Sequence, residues 1–131
     1  NQTTASDIGM LLTDIYQCAE TGGGALAAVF PNQISRADCQ SMIKFMEQDK
    51  FGSLIQAGVP DGTKVAHKHG FIPDRFGVVH DISDVAIVYT PGGDFVLAIY
   101  AYHPVQAIWG EVNPLFVELT QAVYNYFNLR R

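Results

Sequence analysis

Charge is scarce in this chain, and basic charge is scarcer still. Of 131 residues only 16% are charged, with eight Lys and Arg against thirteen Asp and Glu, for a formal net charge of −5. The basic residues are scattered and form no stripe, so the electrostatic footprint that a phosphate backbone requires is missing and nucleic acid is not an expected partner. No apolar run approaches the roughly 20 residues of a membrane-spanning helix. The chain opens on Asn1 with no basic-then-apolar leader behind it, so its own sequence carries no address. Cysteine is equally sparse. Cys18 and Cys39 are too few for a zinc knuckle and too far apart for a redox Cys-x-x-Cys pair. Both fall on apolar faces of predicted helices, which predicts buried free thiols, with a bridge between them as the alternative. There is no internal repeat, linker or low-complexity segment. What is present is a 48% hydrophobic chain, enough to bury the core of one structural unit over residues 1–131.

The hydrophobic pattern changes period along the chain. Thr4 is a helix cap with Asp7 in the first turn, and Ile8, Leu11, Leu12, Ile15 and Ala19 recur on one helical face until Gly22-Gly23-Gly24 ends it. Ala25 to Asn32 is ambiguous, and Pro31 argues against a long element there. Ser35 caps a second helix, with Asp38 three residues on and an apolar stripe of Cys39, Met42, Ile43 and Met46, ending near Lys50. After the Pro60-Asp61-Gly62 turn, three stretches rich in β-branched and aromatic residues read as strands: 64–72, 84–90 and 95–102. Pro91-Gly92-Gly93-Asp94 makes the last two a hairpin. The segment Pro73 to Ser83 between the first two reads as a loop and a candidate site rim. Asn113 reads as a cap, with Pro114 at the first position of an apolar terminal helix. The expected fold is α+β: a three-stranded antiparallel sheet packed with two N-terminal helices and a C-terminal helix.

The first strand contains Lys68-His69-Gly70. With Thr3-Thr4 before a helix, Val59-Pro60-Asp61-Gly62-Thr63 before the strand, the run VAHKHG, a hairpin and a closing helix, the chain resembles the C-terminal half of a class A β-lactamase, a member of the penicillin-recognising serine hydrolases. The resemblance implies amide hydrolysis through an acyl-enzyme in an intact, extracytoplasmic protein. It implies a β-lactam or peptidoglycan-like small-molecule substrate lying beside the strand, and no cofactor. The substrate-binding residues would be Lys68, His69, Gly70 and Phe71: Lys68 facing the substrate carboxylate, Gly70 permitting close approach, and the Phe71 N–H forming half of an oxyanion hole. It also implies that the third strand and closing helix are covered by an N-terminal segment, so that association with that segment or self-association is expected.

The pattern departs from the family in informative ways. His69 stands where the family has Thr or Ser, which replaces a hydroxyl donor by a larger ring whose charge changes near neutral pH. That opens a second reading, a non-catalytic binding module on the same half-fold. Ser41-Met42-Ile43-Lys44 matches Ser-x-x-Lys in letters, yet Ser41 lies inside a predicted helix, where its N–H belongs to the helix ladder. It is read as a coincidence, and no catalytic residue is expected in this chain. Ser83-Asp84 follows the Lys-x-Gly strand where the family's Ser-Asp-Asn precedes it, so Asp84 is read as a strand-entry carboxylate making turn hydrogen bonds. A third reading is a metal site, with zinc held by His67, His69, His80 and Asp81; no metal is expected on balance.

Overall fold

The computed structural model describes residues 2–129. Its elements run α1 (Ala5–Thr21), α2 (Ala25–Val29), α3 (Arg36–Met46), a single 3₁₀ turn (Gln56–Gly58), β1 (Val65–Pro73), β2 (Val79–Val88), β3 (Phe95–Tyr102) and α4 (Trp109–Asn128). Both N-terminal caps are capping boxes. The Thr4 hydroxyl accepts the Asp7 N–H at 3.1 Å while the Asp7 carboxylate accepts the Thr4 N–H at 2.9 Å. Ser35 and Asp38 repeat the exchange at 3.3 and 2.9 Å. Each box satisfies two otherwise unpaired donors and fixes where its helix starts. α1 stops at Gly22, whose φ of 75° is the left-handed cap that glycine adopts without a Cβ penalty.

The three strands form one antiparallel sheet in the order β1-β2-β3, the expected α+β architecture. Side chains of Ala66, Val85 and Ile87 pack on Leu12, Ile15 and Cys18 of α1 and on Cys39 and Ile43 of α3. The opposite face carries Val65, Ala86, Val88 and Phe95, which meet Ile55 and the Val123 and Phe127 side of α4. β2 is the middle strand and therefore apolar on both faces. One close approach to α4 is at Gly58, where an added Cβ would run into the Thr120 side chain and the Val117 carbonyl oxygen. Gly58→Ala is expected to overpack this contact and cost about 1–3 kcal/mol. A urea midpoint equal to wild type would contradict that packing.

Several boundaries differ from the sequence-based expectation. Ala25 to Val29 forms a short helix, and the second long helix ends at Met46, before Lys50. β2 begins at Val79 instead of Asp84, so the supposed rim loop is mostly strand, closed by a tight turn in which the Asp74 carboxylate accepts the Phe76 and Val78 N–H groups. α4 starts at Trp109, and Asn113 caps nothing: its side-chain oxygen accepts the Leu54 N–H at 2.8 Å. Cys18 and Cys39 are not free thiols. α1 and α3 lie side by side, their apolar faces meet, and the two cysteines form a disulfide with Cα atoms 5.9 Å apart. Periodicity places each cysteine on an apolar face, but not which helix that face meets.

Candidate functional site

β1 pairs only with β2, so its other edge is free among the described residues. Two bonds fix which backbone groups face which way. The Lys64 carbonyl accepts the Tyr89 N–H at 3.0 Å, and the Gly70 carbonyl accepts from Ser83 Oγ at 3.2 Å, so the even-numbered residues point their polar groups at β2. The His69 carbonyl instead accepts from Lys68 Nζ at 2.8 Å. By the alternation of a strand, the N–H groups of His69 and Phe71 face the free edge. Gly70 sits where a Cβ would come within 2.8 Å of Ser83 Oγ, so the cross-strand neighbour, and not only a ligand, favours glycine here.

Side chains alternate as well. Lys68 is exposed on the face covered by α1 and α3, while His67 and His69 lie on the other. Lys68 and His69 therefore straddle the free edge. His67 is 1% exposed, with Nδ1 at 3.2 Å from the carboxylate of Asp84, which is 0% exposed and also accepts the Ile55 N–H at 3.1 Å. Asp84 is thus a buried mid-strand carboxylate, not the strand-entry turn former expected: with β2 starting at Val79, Asp84 lies opposite His69 in the register. His67 Nε2 is buried and has no partner among the described residues.

His69 is held from three sides. Its Nδ1 lies 2.9 Å from Asp49 Oδ2, and its ring stacks on Phe51 with centroids 4.2 Å apart and faces Phe71 at 6.0 Å. Trp109, from the start of α4, stands edge-on to both phenylalanines at 5.4 and 6.1 Å. The loop that brings Asp49 and Phe51 here is pinned by three bonds: Asn113 to the Leu54 N–H, Asp84 to the Ile55 N–H, and Asp49 Oδ1 to the Phe51 N–H. Leu54, fully buried, takes a left-handed φ of 57° within it, a conformation that only a well-determined surrounding sustains. Nothing in the sequence pattern singles out Asp49 or Phe51.

Burial pushes the Asp49 carboxyl up, but the Phe51 N–H and the neighbouring His67 and His69 outweigh it and hold it below its ordinary 3.8. A carboxyl lowered on folding stabilises the fold above its unfolded pKa and loses that contribution as pH falls through the folded value. Asp49→Asn is expected to flatten part of the stability loss below about pH 4, as read by urea denaturation at several pH values; an unchanged acid limb would contradict the assignment.

Between the end of α3 and the edge of β1 runs a groove of about 320 Å³ lined by Phe45, Met46, Gln48, Asp49, His67 and Lys68. Ser41 lies within α3, exposed, its hydroxyl donating to the Ala37 carbonyl at 2.8 Å. It is remote from any helix N-terminus, as the sequence reading expects. The suggested zinc ligands are not brought together. His67 and His69 turn to Asp84 and Asp49, His80 faces the His103 carbonyl at 3.2 Å and Asp74 at 3.4 Å, and Asp81 is exposed opposite Tyr102. Among the described residues no three His, Cys, Asp or Glu side chains are placed to share a metal ion.

The family model described as "Beta-lactamase enzyme family" matches residues 1–127. Among solved structures, PBP-A superposes with a TM-score of 0.72 at 21% identity, over 95% of this chain and 40% of that one. TLA-3 extended-spectrum β-lactamase gives 0.74 at 22%, over 96% and 42%. A class A β-lactamase representative from Bacteroides cellulosilyticus gives 0.73 at 15%, over 98% and 42%. At these identities the likeness establishes a shared fold, and the chain spans about two fifths of the length of these structures. No curated protein matches the chain.

Proposed function

Because the chain belongs to the beta-lactamase enzyme family, we propose that residues 1–131 are the C-terminal portion of a β-lactamase-like domain, and that its β1 edge is the wall along which a β-lactam or peptidoglycan-like amide lies. In this reading a serine outside these residues attacks the amide carbonyl. Its proton passes to a neighbouring base and on to the leaving nitrogen, and water then hydrolyses the resulting ester. This chain supplies binding and charge stabilisation. Lys68 presents its ammonium to the ligand's carboxylate and to the reacting hydroxyls, the Phe71 N–H contributes one donor to the developing oxyanion, Gly70 keeps the strand low, and His69 flanks the same edge. The observation that carries the reading is the free edge itself: Lys68 and the Phe71 N–H stand on it within a chain that matches the family over residues 1–127.

Two further features support it. Leu115, Leu119 and Tyr126 leave an apolar stripe exposed along α4, and β3, with Tyr100 and Tyr102 exposed, is the other edge of the sheet with no strand beside it among the described residues. Both are surfaces that a missing N-terminal segment would cover. The Cys18–Cys39 disulfide suits an oxidising, extracytoplasmic compartment. No helix of the described residues is long and apolar enough to cross a membrane.

The reading is tested by incubating the purified chain with benzylpenicillin and measuring its intact mass. The expected spectrum contains only unmodified chain. A stable adduct that maps to Ser41 would sink the assignment of the nucleophile to another segment.

A further inference from the structure

We propose that Phe51, His69, Phe71 and Trp109 form a ring-stacking subsite that takes a flat aromatic substituent carried by the ligand beside its carboxylate; this rests on the ligand-strand reading of β1. The four side chains come from three separate segments. His69 and Phe71 stand on the same face of β1, Phe51 comes from the loop after α3, and Trp109 opens α4. They meet ring to ring. His69 lies on Phe51 at 4.2 Å and 29° and beside Phe71 at 6.0 Å and 26°, while Trp109 stands edge-on to Phe51 at 5.4 Å and to Phe71 at 6.1 Å. Stacked and edge-on contacts of this kind are the ones aromatic rings favour, and a further ring can extend the row in either way.

Core packing alone does not account for this cluster. Phe51 is its foot and packs against the core around Leu54 and Phe116. Phe71 and Trp109 are its rim, 46% and 38% exposed, so their rings border solvent where a core cluster would close over them. The foot is held in place at a cost in backbone strain. Leu54, in the same loop, is fully buried at a φ of 57°, and Asn113 and Asp84 fix the loop's course through the Leu54 and Ile55 N–H groups. Such strain is retained where one particular loop course matters. The His69 ring is set as well, because its Nδ1 lies 2.9 Å from Asp49 Oδ2. That contact makes a mobile polar side chain into a fixed member of the row.

The place of the row on β1 selects the part of a ligand that meets it. Lys68 Nζ lies at the His69 carbonyl, and the His69 and Phe71 N–H groups face the same free edge. A ligand with its carboxylate at Lys68 and its reacting carbonyl at the Phe71 N–H therefore runs past the His69 and Phe71 side chains between those two points. A substituent on the carbon next to the one bearing the carboxylate is the group that lies against the rings. The subsite thus favours ligands that carry an aromatic group there over ligands that carry a small one.

The test is nuclear magnetic resonance titration of the isotopically labelled chain with two cephalosporins that share one acyl group and differ only beside the carboxylate, one bearing methyl and the other phenylthiomethyl. Trp109 is the single tryptophan, so its indole N–H gives one unambiguous signal. The expected result is that both ligands shift the amides from Lys68 to Phe71, that only the aryl ligand shifts the Trp109 indole, and that the aryl ligand binds roughly tenfold more tightly. Trp109→Leu is expected to bring that ratio down to roughly twofold or less, and Phe71→Leu, which keeps apolar bulk on the strand, to do the same. Because the ratio compares two ligands on one protein, a merely structural role for either ring would leave it unchanged. Equal affinities with an unmoved Trp109 indole would overturn this inference and leave the ligand strand standing. No response of the β1 amides to either ligand would overturn both.

Discussion

Replacing Asp84 by alanine is expected to destabilise the fold by about 2–6 kcal/mol, about 1–3 kcal/mol for each of the two buried donors it leaves unsatisfied. Asp84 is 0% exposed and His67 1% exposed, so neither group recovers water when the other is lost. The carboxylate also accepts the Ile55 N–H, which anchors the loop carrying Phe51 beneath β1. Its removal leaves two buried donors, the Ile55 N–H and the His67 Nδ1–H, without acceptors, beside His67 Nε2, which has no partner among the described residues. Unpaired buried polar groups cost more than the net worth of the bonds they made. Asp84→Asn keeps an acceptor for Ile55 and loses the charge, so a smaller loss is expected. Urea unfolding monitored by circular dichroism measures both; a loss under about 1 kcal/mol for Asp84→Ala would mean that the pair is not a fastening of this sheet.

Removing the Cys18–Cys39 bridge by the double substitution Cys18→Ala, Cys39→Ala is expected to cost about 3 kcal/mol, because the bond closes a loop over a sequence separation of 21 and restricts the unfolded chain. Both sulfurs are fully buried between α1 and α3 among Leu12, Ile15 and Ile43, so the shortened side chains also lose contact. For a chain of this length the corresponding fall in Tm is on the order of 10 °C. Scanning calorimetry of the double variant beside wild type reads it directly. Equal Tm values would show that α1 and α3 are held by packing alone.

What was legible in the sequence was whatever is set by neighbours along the chain. The two capping boxes are four-residue patterns and fall where Thr4 and Ser35 predict them. β3 matches Phe95–Tyr102 because its apolar run is uninterrupted. The sequence places the start of β2 only at Asp84 because His80, Asp81 and Ser83 break the apolar pattern, whereas the strand runs from Val79. The Asn113-Pro114 pair is a stronger local start signal than Ile108, which makes no side-chain cap, yet Asn113 is spent on Leu54. At the candidate site, Lys68 and Gly70 stand out by resemblance alone. Asp49 and Phe51 do not, because they reach His69 through a loop whose course is decided by Asn113 and Asp84 from distant segments. The disulfide stands in the sequence only as the alternative to free thiols for the same reason: the pairing of α1 with α3 is tertiary.

Lys68 binding and a nucleophile elsewhere together make up the central claim, and acylation of the gene product containing this chain by labelled penicillin, followed by peptide mapping, tests both at once. The account predicts that label falls outside residues 1–131, that Lys68→Ala slows its appearance by ~100-fold, comparable to losing one charge-stabilising donor, and that Ser41→Ala leaves the rate unchanged. Label on Ser41, or a Lys68→Ala rate equal to wild type, would contradict it.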